Sequence, residues 1–338
     1  MNKNILNIED FYLIAEIGGN HQGSFQKAKE ICELAIESGS DCVKFQLYTA
    51  ENLVNEKINS NRYKHFQKFE LKKDEHIYLA NLCIDSGLDY TASVWDLNMF
   101  EWIEPFLKFI KVGSGDLTSH NFLREFASTG KPIIISTGLS FMKEVENTIN
   151  FLRDCNPVYK NYGMLSVMQC TSMYPIKDSD ANLSIIKEFS KFENIIPGYS
   201  DHTIGIEALV YSLSFGAKIL EFHFSDDKKN KTFRDHQVSL EIDDVKELSK
   251  KCKQIIKMIG DNEKVPLQIE IDNDHRFSFR RAIYPNKDIE KGVVISKSDI
   301  HCLRPNKGIC ASNFDLLIGK RSKIKIHKNQ ELDWDMFD

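Results

Sequence analysis

Between residues 12 and 259, short runs rich in Ile, Val and Phe alternate eight times with longer stretches. The runs are 12–17 (YLIAEI), 42–46 (CVKFQ), 90–94 (YTASV), 109–113 (FIKVG), 132–137 (PIIIST), 165–170 (LSVMQC), 195–200 (IIPGYS) and 218–224 (KILEFHF). Runs that are apolar at nearly every position suit strands buried on both faces of a parallel sheet, and parallel neighbours need crossover connections. Stretches 24–38, 119–129, 141–153, 181–191, 205–215 and 241–259 have helical patterning. In the first, Ala28, Ile31, Cys32 and Ala35 share one face, Ser24 offers an N-cap and Gly39 a stop. Eight such units over about 250 residues predict a closed (β/α)8 barrel, with a doubly wound open sheet as the second reading. Segment 51–73 is long and polar for a connection and reads as a lid near the active face.

The rhythm stops at Gly260. Residues 261–276 read as a linker, and 277–338 as a small β-rich unit with too little core to stand alone. The expected organisation is a catalytic barrel over 1–260, the linker, and a small domain over 277–338.

Charge and composition exclude several classes of partner. The 338 residues carry 44 Lys+Arg against 49 Asp+Glu, a net charge of −5. That gives no electrostatic footprint for nucleic acid or an anionic membrane, although a local basic pocket remains compatible with it. The N-terminus has no signal-peptide core, and no run approaches the ~18 apolar residues of a spanning helix. The eight cysteines show no C-x-x-C spacing and read as free thiols of a reducing compartment. A cytoplasmic protein is expected, with neither nucleic acid nor membrane as partner.

In a closed barrel the chemistry collects at the C-terminal ends of the strands, and polar residues fall there on all eight runs. They are Glu16; Lys44 and Gln46; Ser93; Lys111 and Ser114; Ser136 and Thr137; Thr171, Ser172 and Tyr174; Ser200 and His202; Glu221 and His223. Lys111, Ser114, Ser136, Ser172 and Ser200, with Gly113, Gly115 and Gly138, have the donors to cradle a phosphate. His202 and His223 sit at the ends of neighbouring strands, where two imidazoles with open positions suit Mn²⁺, Zn²⁺ or Fe²⁺. For either histidine alone a hydrogen-bonded, half-buried side chain is the better reading, and it is their placement on neighbouring strands that favours a metal. Glu16, Glu221 and Asp235 are acid–base candidates; the other reading of Glu16 is an ion pair with Lys44 or Lys111.

Taken together, IAEIGGNHQG (14–23), VKFQ (43–46), KVGSGDLT (111–118), GKPIIISTGLS (130–140), QCTSMYP (169–175), GYSDHTIGIE (198–207), ILEFHF (219–224) and RDHQVSLE (234–241) resemble the N-acetylneuraminate (sialic acid) synthase family. The tail 281–309 is similar to that family's antifreeze-like (SAF) domain. The resemblance implies condensation of phosphoenolpyruvate with an open-chain N-acetylated amino sugar, giving a nine-carbon 2-keto sugar acid and phosphate by C–O cleavage. The sugar would be N-acetylmannosamine or a related bacterial acetamido sugar. It implies a divalent metal, Mn²⁺ or Mg²⁺, on His202 and His223. It implies phosphate binding by Lys111, Ser114, Ser136 and Ser200 with Ser172 beside them. Glu16, Lys44, Glu221 and Asp235 would be catalytic, and Gln46 and Tyr174 would face substrate. Arg304 would enter the neighbouring subunit's site in a domain-swapped homodimer. Two departures fall near the sugar side. Phe222 stands where the family has a basic residue, and Phe233–Arg234 where it has Gly-Pro before the aspartate.

Three rival functions stand beside this one. The nearest is another phosphoenolpyruvate–aldose condensing enzyme, which the antifreeze-like tail disfavours. A Schiff-base aldolase would use Lys44 or Lys111. A non-catalytic sugar-binding protein would release no phosphate.

Overall fold

The computed structural model describes residues 5–6, 8–229, 231 and 233–338; the reading of the first four residues and Asn7 lies outside them. Chain contacts divide the protein into two units, Met1–Gly260 and Asp261–Asp338.

The first unit is a closed barrel of eight parallel strands in sequence order: β1 (Tyr12–Glu16), β2 (Cys42–Leu47), β3 (Asp89–Val94), β4 (Ile110–Val112), β5 (Ile133–Ser136), β6 (Leu165–Cys170), β7 (Ile195–Ser200) and β8 (Ile219–His223). Closure is made by β1 against β8, with Tyr12 opposite Ile219 and Glu16 opposite His223. Around the strands run α1 (Phe25–Glu37), α2 (Ala50–Leu53), α3 (Ser60–Phe69), α4 (Lys73–Asp85), α5 (Leu97–Ile103), α6 (His120–Ser128), α7 (Met142–Cys155), α8 (Ile186–Phe189), α9 (Glu207–Ser214), α10 (Arg234–Val238) and α11 (Ile242–Ile259).

Strand alternation explains where the site lies. Successive side chains point to opposite faces of a strand. Leu13, Ala15, Val43, Phe45, Leu220 and Phe222 therefore join the outer core beneath the helices. Tyr12, Ile14, Cys42, Phe109, Ile134, Met168, Ile196 and Ile219 fill the barrel interior, with Ile5 and Ile8 in the same cluster. One step further along the same inward rows come Glu16, Lys44, Lys111, Ser136, Ser200 and Glu221, all buried. The lower barrel is thus apolar and its upper end charged. Gly198 makes room in the filled interior: a Cβ there would lie 2.9 Å from Met168 Cγ and 2.8 Å from the Ile219 carbonyl oxygen.

Local chemistry sets the element ends. The Ser24 hydroxyl accepts from the Lys27 amide at 3.3 Å to cap α1, and Gly39 takes φ +88° beyond its end. Segment 51–73, read as a lid, carries most of α2 and all of α3. One sequence expectation needs correction. Stretch 181–191 is not one helix but a 3₁₀ turn at Leu183–Ile185 followed by the four residues of α8. Crossover helices α4 and α5 escape the sequence reading. The eight cysteines are free, with Cys32 and Cys83 Sγ atoms in contact at 3.4 Å. Among the described residues, no helix is long and apolar enough to cross a membrane.

The second unit opens with two short helices, α12 (Gln268–Asp272) and α13 (His275–Ser278). It continues into β9 (Ala282–Pro285) paired antiparallel with β10 (Ile300–Leu303), then the four-residue α14 (Phe314–Leu317). Ile283, Ile289, Ile295, Ile300, Ile309, Leu317, Ile326, Leu332 and Phe337 form its own small core. Val265, Leu267, Ile269, Ile271, Phe277 and Phe279 leave it exposed.

Candidate active site

The upper end of the barrel opens into a cavity of about 440 Å³. Thirteen sequence-derived site residues line it: Glu16, Lys44, Gln46, Lys111, Ser114, Ser136, Ser172, Tyr174, Ser200, His202, Glu221, His223 and Asp235. Arg304 belongs to the second unit, where its guanidinium lies 5.1 Å over the Phe279 ring.

The floor is a network of alternating charges. Lys44 Nζ lies 2.5 Å from Glu16 Oε2 and 3.8 Å from Glu221 Oε1. Lys111 Nζ lies 3.5 Å from Glu221 Oε1 and donates to Ser136 Oγ at 2.6 Å. Gln46 donates to Glu16 Oε1 at 2.7 Å, and Ser200 to Glu221 Oε1 at 3.1 Å. Two ammoniums and two carboxylates thus offset one another's charge where a lone one would be too costly, although Glu221 Oε2 has no hydrogen-bond partner among the described residues. The four do not titrate alike. Burial opposes ionisation of Glu221, but Lys111 and Lys44 outweigh it and hold its carboxyl down at about 2. Glu16 is raised, because burial and the Glu221 charge prevail over Lys44 and Gln46. Burial lowers Lys111. Lys44 is raised, since Glu16 and Glu221 overcome its burial. The Glu16–Lys44 ion pair is therefore real, and it stands inside the cavity.

The two histidines adjoin this floor, their ring centroids 5.4 Å apart. His202 Nδ1 is 2.7 Å from the Thr171 carbonyl oxygen. A carbonyl only accepts, so Nδ1 carries a proton; burial opposes the charged ring, but Cys170, the Thr171 carbonyl and Asp201 outweigh it and leave the His202 pKa raised. Burial pushes His223 down to about 4, leaving it neutral at pH 7. Its buried Nδ1 has no hydrogen-bond partner among the described residues; Asp235 Oδ2 stands 3.9 Å away. Neutral imidazoles with free lone pairs are the form a divalent metal takes. Among the described residues no group of three or more His, Cys, Asp or Glu is placed to hold a metal ion. The donor set therefore fits a metal only as a two-histidine site with positions left for water and substrate.

Several lining residues were not singled out from the sequence. Asp116, in the turn after β4, accepts a hydrogen bond from Trp95, and burial lifts its carboxyl to about 6 despite Trp95 and Lys111. Arg62 and Phe66 come from α3, and Leu53 from α2. Cys170, read only as a buried thiol, is also in the lining. Arg234 stacks 4.5 Å over Tyr174, whose ring lies 3.9 Å from that of His202. Arg234 Nε also meets Asp235 Oδ1 at 3.1 Å. Phe222 corrects one expectation. It points into the outer core, not to the sugar side, because strand alternation turns it away from its neighbours Glu221 and His223.

Comparison with known proteins adds the following. Residues 31–264 match the model of the NeuB family, and residues 280–338 that of the SAF domain. The N,N'-diacetyllegionaminic acid synthase of Legionella pneumophila is 32% identical over 96% of this chain and 94% of that protein. The human N-acetylneuraminate-9-phosphate synthase is 29% identical over 97% and 92%. The crystal structure of an N-acetylneuraminic acid synthetase from Leptospira borgpetersenii, in complex with citrate, superposes with a TM-score of 0.71. It is 25% identical and covers 79% of this chain and 91% of that one.

Proposed function

Because this chain belongs to the NeuB family, as the match over residues 31–264 establishes, we propose that it condenses phosphoenolpyruvate with an open-chain N-acetylated amino sugar. The products are a nine-carbon 2-keto sugar acid and inorganic phosphate. The observation that carries this reading is the meeting, in one cavity, of a lysine–serine phosphate cradle with two neighbouring imidazoles.

Lys111 and Ser136, with Ser114, Ser172 and Ser200 lining the same cavity, bind the phosphate. Their fixed dipoles and charge stabilise it as it leaves. Ser114 Oγ is held in place by the Gly138 amide at 3.0 Å. C3 of phosphoenolpyruvate attacks the sugar aldehyde carbon, and the aldehyde oxygen ends with the proton that Glu16 takes from the incoming water and passes on. Water adds to the electron-poor C2. The C2–O bond to phosphate then breaks, the phosphate leaving with the C2 hydroxyl proton, and C2 becomes the 2-keto carbon. Glu16, whose raised pKa suits proton exchange, receives the proton of that water. Lys44 and Gln46 hold Glu16 in position, and Glu221 aligns both ammoniums. Tyr174 and Asp235 face the sugar. A divalent ion, Mn²⁺ or Mg²⁺, would be held by His202 and His223 and supplies polarisation of the aldehyde oxygen.

The exposed apolar run from Val265 to Phe279 supports a homodimer, because such side chains want cover. Arg304 then serves the partner's site. Cytoplasmic location belongs to the same reading, since phosphoenolpyruvate is an intracellular metabolite. The aldolase alternative is disfavoured at Lys44, which its carboxylate neighbours keep protonated. Its remaining form, through Lys111, predicts borohydride trapping of pyruvate and full activity in EDTA.

The test is the fate of the bridging oxygen. Phosphoenolpyruvate labelled with ¹⁸O between C2 and phosphorus should deliver the label to phosphate. Label retained in the sugar acid overturns the proposed cleavage.

A further inference from the structure

Phe233 occupies a junction that the proposed chemistry does not use. Its ring lies 5.0 Å from Phe69 and 5.7 Å from His65, both on α3. It also lies on the backbone of Gly19, where a Cβ would come within 2.8 Å of the ring. The last turn of α3 touches the same loop: a Cβ on Gly23 would overlap the Lys68 carbonyl oxygen. Three segments meet here, the loop after β1, the end of α3 and the loop after β8.

Helix α3 depends on such contacts. It has ten residues, of which Phe69 is the buried one. A helix this short is marginal by itself in water. Two aromatic anchors hold it. Phe66 packs on Tyr48 at 5.1 Å and Trp95 at 6.4 Å, while His65 and Phe69 pack on Phe233. The same helix brings Arg62 and Phe66 into the cavity lining. Arg234, next to Phe233, lies over Tyr174 beside the histidines.

We infer that Phe233 is a positioning residue for the sugar side of the cavity: its ring latches α3, seating Arg62 and Phe66 at the mouth, and fixes the turn that places Arg234 on Tyr174. The functional consequence rests on the proposed synthase reading; the latch itself does not. The phosphate cradle is held by contacts of its own, Lys111 to Glu221 and Ser136, and the Gly138 amide to Ser114 Oγ.

The experiment compares Phe233→Ala, Phe233→Tyr and the unchanged full-length protein. In Phe233→Ala, amide exchange over residues 60–69 should quicken about tenfold, as loss of two ring contacts predicts, with the barrel strands unchanged. The KM for the sugar should rise about tenfold while that for phosphoenolpyruvate stays within about twofold. Phe233→Tyr, which keeps the ring, should restore both. Unchanged exchange over 60–69, a parallel rise in both KM values, or failure of tyrosine to rescue overturns the inference. If the unchanged protein turns over no sugar, the synthase reading fails, and the exchange comparison alone decides the latch by the same criterion.

Discussion

The floor and the rim of the barrel cavity are built in opposite ways. Floor groups project from strands, are almost wholly buried, and are fixed by one another through hydrogen bonds of 2.5–3.1 Å. Rim groups such as Arg62 and Arg234 sit on two short helices, α3 and the start of α10, where stacked rings do most of the holding. Under the proposed synthase function the difference separates two tasks, bond making at the floor and choice of sugar at the rim. Charges that must not move during bond making are placed where moving them is costly. Groups that select among sugars are placed where a change of sequence disturbs little else.

The contrast can be broken from the floor upward. His202→Ala or His223→Ala should abolish turnover while the far-UV spectrum and melting temperature stay near those of the parent. Full activity of either variant in metal-free buffer would remove the histidines from the chemistry. Glu16→Gln should lower kcat by about 10²–10⁴, the usual worth of a placed acid–base group, with the KM for phosphoenolpyruvate little changed. A loss seen only in KM would make Glu16 a structural partner of Lys44. Lys111→Ala should raise the KM for phosphoenolpyruvate about ten- to a hundredfold, the equivalent of roughly 1.5–3 kcal/mol for a charged hydrogen bond, and spare the sugar KM. Equal effects on both substrates would dissolve the division between floor and rim.

The smallest effect concerns Asp116, which stands between the two regions. Burial raises its pKa to about 6, so it is charged above that pH and neutral below it. If its carboxylate serves the cavity, kcat/KM should fall as pH drops through about 6, and Asp116→Asn should lose that limb. A limb that persists in the variant belongs to another group.

The floor was legible in the sequence for a physical reason. A lysine inside FIKVG or a glutamate inside ILEFH interrupts a strand that is otherwise apolar, and burying it is too costly without a purpose. The barrel was legible because closure needs eight such strands. The rim was not. Arg62 and Phe66 lie in a polar stretch that resembles any solvated segment, and Asp116 sits in a Gly-Ser-Gly turn that is common everywhere. The stacking of Phe233 on Phe69 joins residues far apart in sequence, and no local period records it. Helix α4 was missed because its charged and apolar residues mix around the axis without a clean stripe, and α5 because seven residues show barely two turns. Phe222 was misplaced because a motif comparison registers a substitution but not the side of the strand it faces.

Phosphate release tests the central claim most directly. The purified protein should free phosphate from phosphoenolpyruvate in step with the loss of one 2-acetamido sugar from a panel that spans N-acetylmannosamine, its 6-phosphate and diacetamido sugars. Release should stop in EDTA and return with Mn²⁺ or Mg²⁺. Release that proceeds undiminished in EDTA, or no sugar-dependent release from any member of the panel with metal present, would contradict the account.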